Sequence, residues 1–142
     1  MDKGLYCLIL ENPACTVRIG ALGEIAFRQG WHVYVGSALG SGGLLRLERH
    51  KELARSHDKK PKWHIDYLLV NPRFRLEGAI FAMTGERLEC RLAGQIQGEG
   101  VLAFGCSDCD CASHLFSFPQ NPAESIREAF LACGLEPQES CP

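Results

Sequence analysis

The sequence predicts an α+β fold, a small mixed or antiparallel sheet flanked by helices. Three observations lead there. Apolar runs with strand periodicity crowd the first third of the chain, helical periodicity takes over at residue 44, and strands and helices then follow in mixed order. With 142 residues the chain is long enough for one hydrophobic core and too short for two ordinary ones, so residues 1–142 are expected to form a single domain.

Residues 4–10 read as a central strand, because Leu5, Cys7 and Ile9 alternate with Tyr6, Leu8 and Leu10 and leave both faces mostly apolar. Asn12-Pro13 breaks it. Residues 16–19 and 24–27 are short strands around the turn Gly20-Ala21-Leu22-Gly23, which makes a small inserted hairpin. Residues 31–35 form a third strong strand that ends at Gly36 in a Ser/Gly-rich loop running to Gly43. From residue 44 to about residue 56 the spacing is helical, with Leu44, Leu47 and Ala54 near one stripe, and residues 57–61 are its exposed break. A second helix covers residues 63–70, where Ile65, Leu68 and Leu69 share a face and Asn71-Pro72 stops it.

Residues 73–83 alternate as a strand, Thr84-Gly85 turns the chain, and residues 86–97 are a helix with Leu88, Leu92 and Ile96 on its buried face. This completes a core of residues 4–97. An extension over residues 98–135 adds a Cys-rich loop, a short strand at residues 114–118 and a helix with clear ends. Asn121 is its N-cap, Pro122 fits the first turn, Glu124 suits a capping box and Gly134 is its C-cap. Residues 136–142 are expected to fray.

Hydrophobic residues make up 46% of the chain and charged residues 23%, and no apolar run approaches the length of a membrane span. The first strand begins without the apolar stretch of an export signal, so a cytoplasmic protein is expected. Eight cysteines in such a setting read as reduced thiols, with Cys7 and Cys90 in the core. A net charge of −2 argues against coating nucleic acid through bulk positive charge. Locally the balance is different. Arg49, Lys51, Arg55, Lys59, Lys60 and Lys62 crowd one segment with Arg46 and His50, and those six, with His64, are the candidate nucleic-acid contacts.

Tyr6 and Tyr34 each lie in a strand beside glycine, where a hydroxyl can reach a pocket rim while the ring fills core. Arg46 and His50 stand at i and i+4 on one helical face and can address one ligand. Glu89 points away from Leu88 and Leu92 and leaves one carboxylate for a hard divalent cation, enough for Mg²⁺ or Mn²⁺ once phosphate oxygens join. These are the parts a phosphodiester hydrolysis needs: a cation to offset charge, a carboxylate for metal, and a route for the water proton.

On Gly4-Leu5-Tyr6, Tyr34-Val35-Gly36, Arg46, His50 and Glu89 the chain resembles the GIY-YIG nuclease superfamily, with Leu and Val where the two signatures carry Ile. The stretches Tyr34-Val35-Gly36-Ser37-Ala38 and Trp63-His64-Ile65-Asp66-Tyr67-Leu68, with residues 104–116, also resemble a small domain-of-unknown-function subfamily that occurs alone or fused to endonuclease III-type repair enzymes. The resemblance implies a GIY-YIG-like sheet, metal-dependent cleavage of DNA or another nucleic acid, and a repair protein as partner. Tyr6 would deprotonate or orient water with help from Tyr34, Arg46 would stabilise charge, His50 would assist, and Glu89 would hold the metal. The stretch from Tyr6 to Tyr34 is longer than in typical members, which the inserted hairpin accounts for. The other reading is a nucleic-acid-binding or protein-docking module on the same scaffold, without turnover.

Cys106, Cys109, Cys111 and His114 form a second cluster. Thiolates and imidazole suit zinc, but Cys-x-Cys followed by His lacks the paired knuckle spacing, so zinc is not expected. A tight loop is expected instead, in which Ser107, Asp108 and Asp110 satisfy backbone amides.

Overall fold

A strand that is apolar on both sides needs a covering layer on each face, and the computed structural model, which describes residues 2–105 and 112–142, supplies both. In chain order the first half holds β1 (Gly4–Asn12), β2 (Cys15–Arg18), β3 (Glu24–Phe27), β4 (Gly30–Ala38), α1 (Leu45–Ser56) and α2 (His64–Leu69). The second half holds β5 (Arg75–Met83), α3 (Glu89–Gln95), β6 (Glu99–Gly100), β7 (Leu115–Phe118), α4 (Ala123–Ala132) and β8 (Gln138–Ser140). The main sheet runs β6-β7-β4-β1-β5-β8 with every pairing antiparallel, and β1 lies at its centre between β4 and β5. The fold is therefore α+β, as the sequence predicts.

Alternation along β1 sorts the core into two layers. Tyr6, Leu8 and Leu10 face Leu47 and Leu53 of α1 and Ile65, Leu68 and Leu69 of α2. Leu5, Cys7 and Ile9 face Leu92 of α3 and Ile126, Ala129 and Phe130 of α4. Full burial of a side chain such as Phe130 contributes about 1.5–3 kcal/mol, so the helices are held chiefly by these stripes. The β2–β3 hairpin pairs apart from the main sheet and closes the α1/α2 layer through Val17, Ile19 and Phe27.

The C-terminal cap of α4 works as its sequence indicates. At the N-terminus the cap position falls at Pro122 with no side-chain cap hydrogen bond, so the expected Glu124 capping box does not form. Asn121 Oδ1 accepts the Ala123 amide at 3.0 Å. At the other end Gly134 takes φ 74°, while Leu135 N–H reaches Phe130 O and Gly134 N–H reaches Leu131 O, which is the Schellman arrangement. Elsewhere the turns claim more chain than periodicity suggests. Thr84 Oγ1 accepts the Glu86 amide and Leu88 N–H binds Glu86 O, so α3 starts at Glu89 rather than residue 86. Likewise Asn71 O and Oδ1 take the Phe74 and Arg73 amides and delay β5 to Arg75.

Two further expectations fail. The tail does not fray, because Gln138, Glu139 and Ser140 pair with Phe81, Ile80 and Ala79 on β5. Glu139 also pairs with Arg127, and Ser140 Oγ accepts from Lys51 Nζ. Cys90 is exposed and disulfide-bonded, not a reduced core thiol, whereas Cys7 is fully buried and free. Among the described residues no helix is long and apolar enough to cross a membrane.

Candidate active site

The two tyrosine-glycine signatures meet across one strand pair. Tyr6 on β1 lies directly opposite Gly36 on β4, and a Cβ added at Gly36 would overlap the Tyr6 ring. Gly4 is constrained in the same way, since a Cβ there would run into the Ala82 carbonyl oxygen of β5. The ring of Tyr6 thus lies over bare backbone, and only glycine leaves that space. Gly36→Ala should destabilise the protein by about 1–3 kcal/mol and displace the phenol. A melting curve superimposable on wild type would contradict this packing.

Tyr6 is 1% exposed, yet its hydroxyl borders a cavity. It lies 2.7 Å from His50 Nε2, and we assign the phenol as donor to the neutral ring. Burial, with smaller contributions from Tyr34 and others, raises the Tyr6 pKa well above 10. Burial lowers His50 to about 4, against an opposing pull from Asp66. Both groups are therefore uncharged near pH 7, and the Tyr6 expected to deprotonate or orient water is a phenol hydrogen-bonded to an imidazole.

Arg46 stands one turn before His50 on α1, and its Nη1 donates to Ser37 O at 2.9 Å. Its guanidinium lies over the Trp63 ring, 5.0 Å from the centroid, and the Lys62 ammonium lies 5.7 Å from the same ring. Asp66 fixes this corner from within α2, accepting the Lys62 and Trp63 amides on Oδ2 at 2.9 Å each. Across the opening, His64 Nδ1 accepts the Gly105 amide at 2.8 Å, and burial lowers the His64 pKa.

A cavity of about 390 Å³ joins Tyr6, Tyr34, Arg46, His50, Lys62, His64 and Glu89, with Trp63 and His114 in the same wall. Residues from β1, β4, α1, α2 and α3 converge there. A larger hollow of about 640 Å³ at the far end of the β1–β4 ladder is lined by Trp31, Arg73 and Arg75. Arg75 there is tied to Glu77 and Glu11, and no comparable set of titratable groups converges.

The basic segment divides. Lys62 and His64 line the cavity; Arg49, Arg55, Lys59 and Lys60 are exposed outside its wall, with Arg55 paired to Glu52. Lys51 leaves the candidate nucleic-acid face altogether. It is 7% exposed and points to Glu48 and the β8 residue Ser140, because positions 50 and 51 continue the buried stripe that Leu47 begins. Cys106, Cys109 and Cys111 of the cluster weighed for zinc, and the loop expected around Ser107, Asp108 and Asp110, lie outside the described residues. His114 is described, and its Nε2 lies 3.8 Å from Cys90 Sγ in the cavity wall.

Among the described residues no group of three or more His, Cys, Asp or Glu side chains could hold a metal ion. Glu89 is, among them, the one carboxylate in the wall. A single carboxylate in a wall shared with Arg46 and Lys62 fits Mg²⁺ or Mn²⁺ where substrate phosphate oxygens and waters complete the shell. Trp63 and His114 are the members that the sequence did not single out for this site. The signal for Trp63 was its place just before the capped turn at Asp66, beside Lys62.

No curated protein and no solved structure matches the chain. One family model does, over residues 5–135, which takes in Tyr6, the Tyr34-Val35-Gly36 signature, Arg46, Glu89 and the Schellman end of α4. The chain belongs to that family, described as a domain of unknown function, DUF123.

Proposed function

We propose that the protein is a GIY-YIG-type phosphodiesterase that cuts nucleic acid, DNA foremost, with Mg²⁺ or Mn²⁺ at Glu89. The observation that carries this reading is the cavity in which Tyr6, Tyr34, Arg46, His50 and Glu89 meet. Arg46 and Lys62 hold the phosphate; a guanidinium about 4 Å from it contributes about 4 kcal/mol at an effective dielectric near 20. Tyr6 takes a proton from water as its own passes to His50 Nε2, so charge never rests on the buried phenol. An anionic phosphate nearby raises the basicity of His50. Glu89 would hold the cation, which when bound would supply further offset of charge on the phosphate. A repair setting, with a partner that provides targeting, follows from the resemblance alone.

A plasmid, branched-DNA and RNA cleavage panel with and without Mg²⁺ or Mn²⁺ tests this directly. Metal-dependent nicking is expected, and its absence on every substrate would overturn the reading. In EDTA, binding should weaken as salt rises, with a log–log slope of roughly −2 to −4 for the few phosphates that this basic region can neutralise. A flat response between 50 and 200 mM would contradict phosphate contact.

The close Tyr6–His50 pair also favours a second reading. Two buried side chains that spend their polar atoms on one another can be scaffold rather than machinery, and the cavity would then bind without turnover. Tight metal-free binding with no nicking would select it.

A further inference from the structure

Trp63 is 43% exposed, one of the few large apolar side chains left open to solvent, and it is held firmly rather than left to swing. Its amide is bound by Asp66, the edge of the His50 ring approaches it with centroids 6.3 Å apart, and two cations stand at its ring. Arg46 and Lys62, which stand at that ring, are also the cations that line the candidate phosphate site. An indole that carries two cations over its ring and keeps 43% of the residue open to solvent matches the two halves of a nucleotide: a base to stack on the part of the ring that Arg46 and Lys62 leave uncovered, and a phosphate to neutralise.

We propose that Trp63 is a stacking platform for an unpaired base, which makes the substrate a single-stranded or locally opened segment of nucleic acid rather than uninterrupted duplex. In duplex both faces of each base are covered by neighbouring pairs, so no ring is available to the indole. An unpaired base has a free π-face. The cavity of about 390 Å³ is on the scale of one nucleotide, and Tyr34 and His64 stand in its wall with Trp63. Trp63 therefore sets which nucleotide geometry reaches Arg46 and Glu89, as a specificity-determining residue outside the proton path. The inference rests on the nucleic-acid reading given above.

The test uses the whole chain carrying Trp31→Phe, which leaves Trp63 as its sole tryptophan. In EDTA it is titrated with a single-stranded oligothymidylate and with a hairpin-capped duplex of equal phosphate count, following indole fluorescence. Single strands should quench Trp63 and bind at least several-fold tighter than duplex. With Trp63→Ala or Trp63→Phe added no indole remains, so these affinities are read from the anisotropy of dye-labelled strands. Trp63→Ala should lower single-strand affinity by about 5- to 100-fold with a much smaller change on duplex, while Trp63→Phe keeps most of the single-strand preference. Equal losses on both nucleic acids, or retention of the preference by Trp63→Ala, would overturn the proposal and reduce Trp63 to a support for Arg46. A parallel cleavage assay separates the two ideas. Nicking by wild type without any Trp63-dependent preference sinks only the stacking role, whereas single-strand binding through Trp63 without nicking sinks only hydrolysis. Neither binding nor nicking sinks both.

Discussion

Arg46→Ala and Glu89→Ala should each cut metal-dependent nicking by about 10²- to 10³-fold, the usual loss when one preorganised electrostatic group is removed from a hydrolytic site. The two side chains line one cavity from different elements, the first turn of α1 and the first residue of α3, which is where the proposed reading needs them. Neither is core. Arg46 gives one hydrogen bond to Ser37 O and covers part of Trp63, and Glu89 stands at the cavity rim, so melting temperature should move by only a few degrees. Conservative changes divide the roles. Arg46→Lys keeps the charge but loses the planar fork, and an intermediate rate is expected; Glu89→Gln keeps the shape but loses the metal ligand and should behave like alanine. Undiminished nicking by folded Arg46→Ala and Glu89→Ala proteins would end the catalytic assignment.

Why some of this was legible is a matter of which signals are local. The double-sided apolar pattern of β1 and the Gly134 end of α4 are written in adjacent residues, and each matches the structure. The spacing of Arg46 and His50 placed them on one helical face, and both line one cavity. Gly36 is a different case: the sequence shows a glycine after Tyr34-Val35, but its reason is the Tyr6 ring on another strand. The polar run Gln138-Glu139-Ser140 carries no strand periodicity, since an edge strand can be held by backbone pairing and two side-chain contacts. Lys51 follows from that. Position 51 falls on the buried stripe of α1, but the group that receives its ammonium, Ser140, sits on a tail strand 89 positions away.

Stability should fall steeply between pH 6.5 and pH 4, because the fold buries two neutral histidines. His32 is 1% exposed and is lowered by burial to about 4, as is His50. Asn12 Nδ2 donates to Pro13 O and Arg28 O, which turns Asn12 Oδ1 toward His32 and requires the His32 Nδ1 to carry its proton. The rings of Phe27 and Phe74 close the pocket at 5.3 and 5.9 Å, so a second proton would put a charge among aromatics. For each group the unfolded chain binds a proton below pH 6.5 while the native state resists until about pH 4. The stabilisation is thus complete above the unfolded value and disappears as pH falls through this window, at about 3 kcal/mol per histidine and about 2 of those already lost at pH 5. Urea midpoints at pH 7, 6 and 5 would measure it. His32→Asn preserves a donor to Asn12 without a group that titrates there, and His50→Gln preserves an acceptor for the Tyr6 phenol. Each substitution should remove about half of the slope even where it lowers the plateau, and an unchanged slope in both would show that the acid sensitivity arises from carboxylates instead.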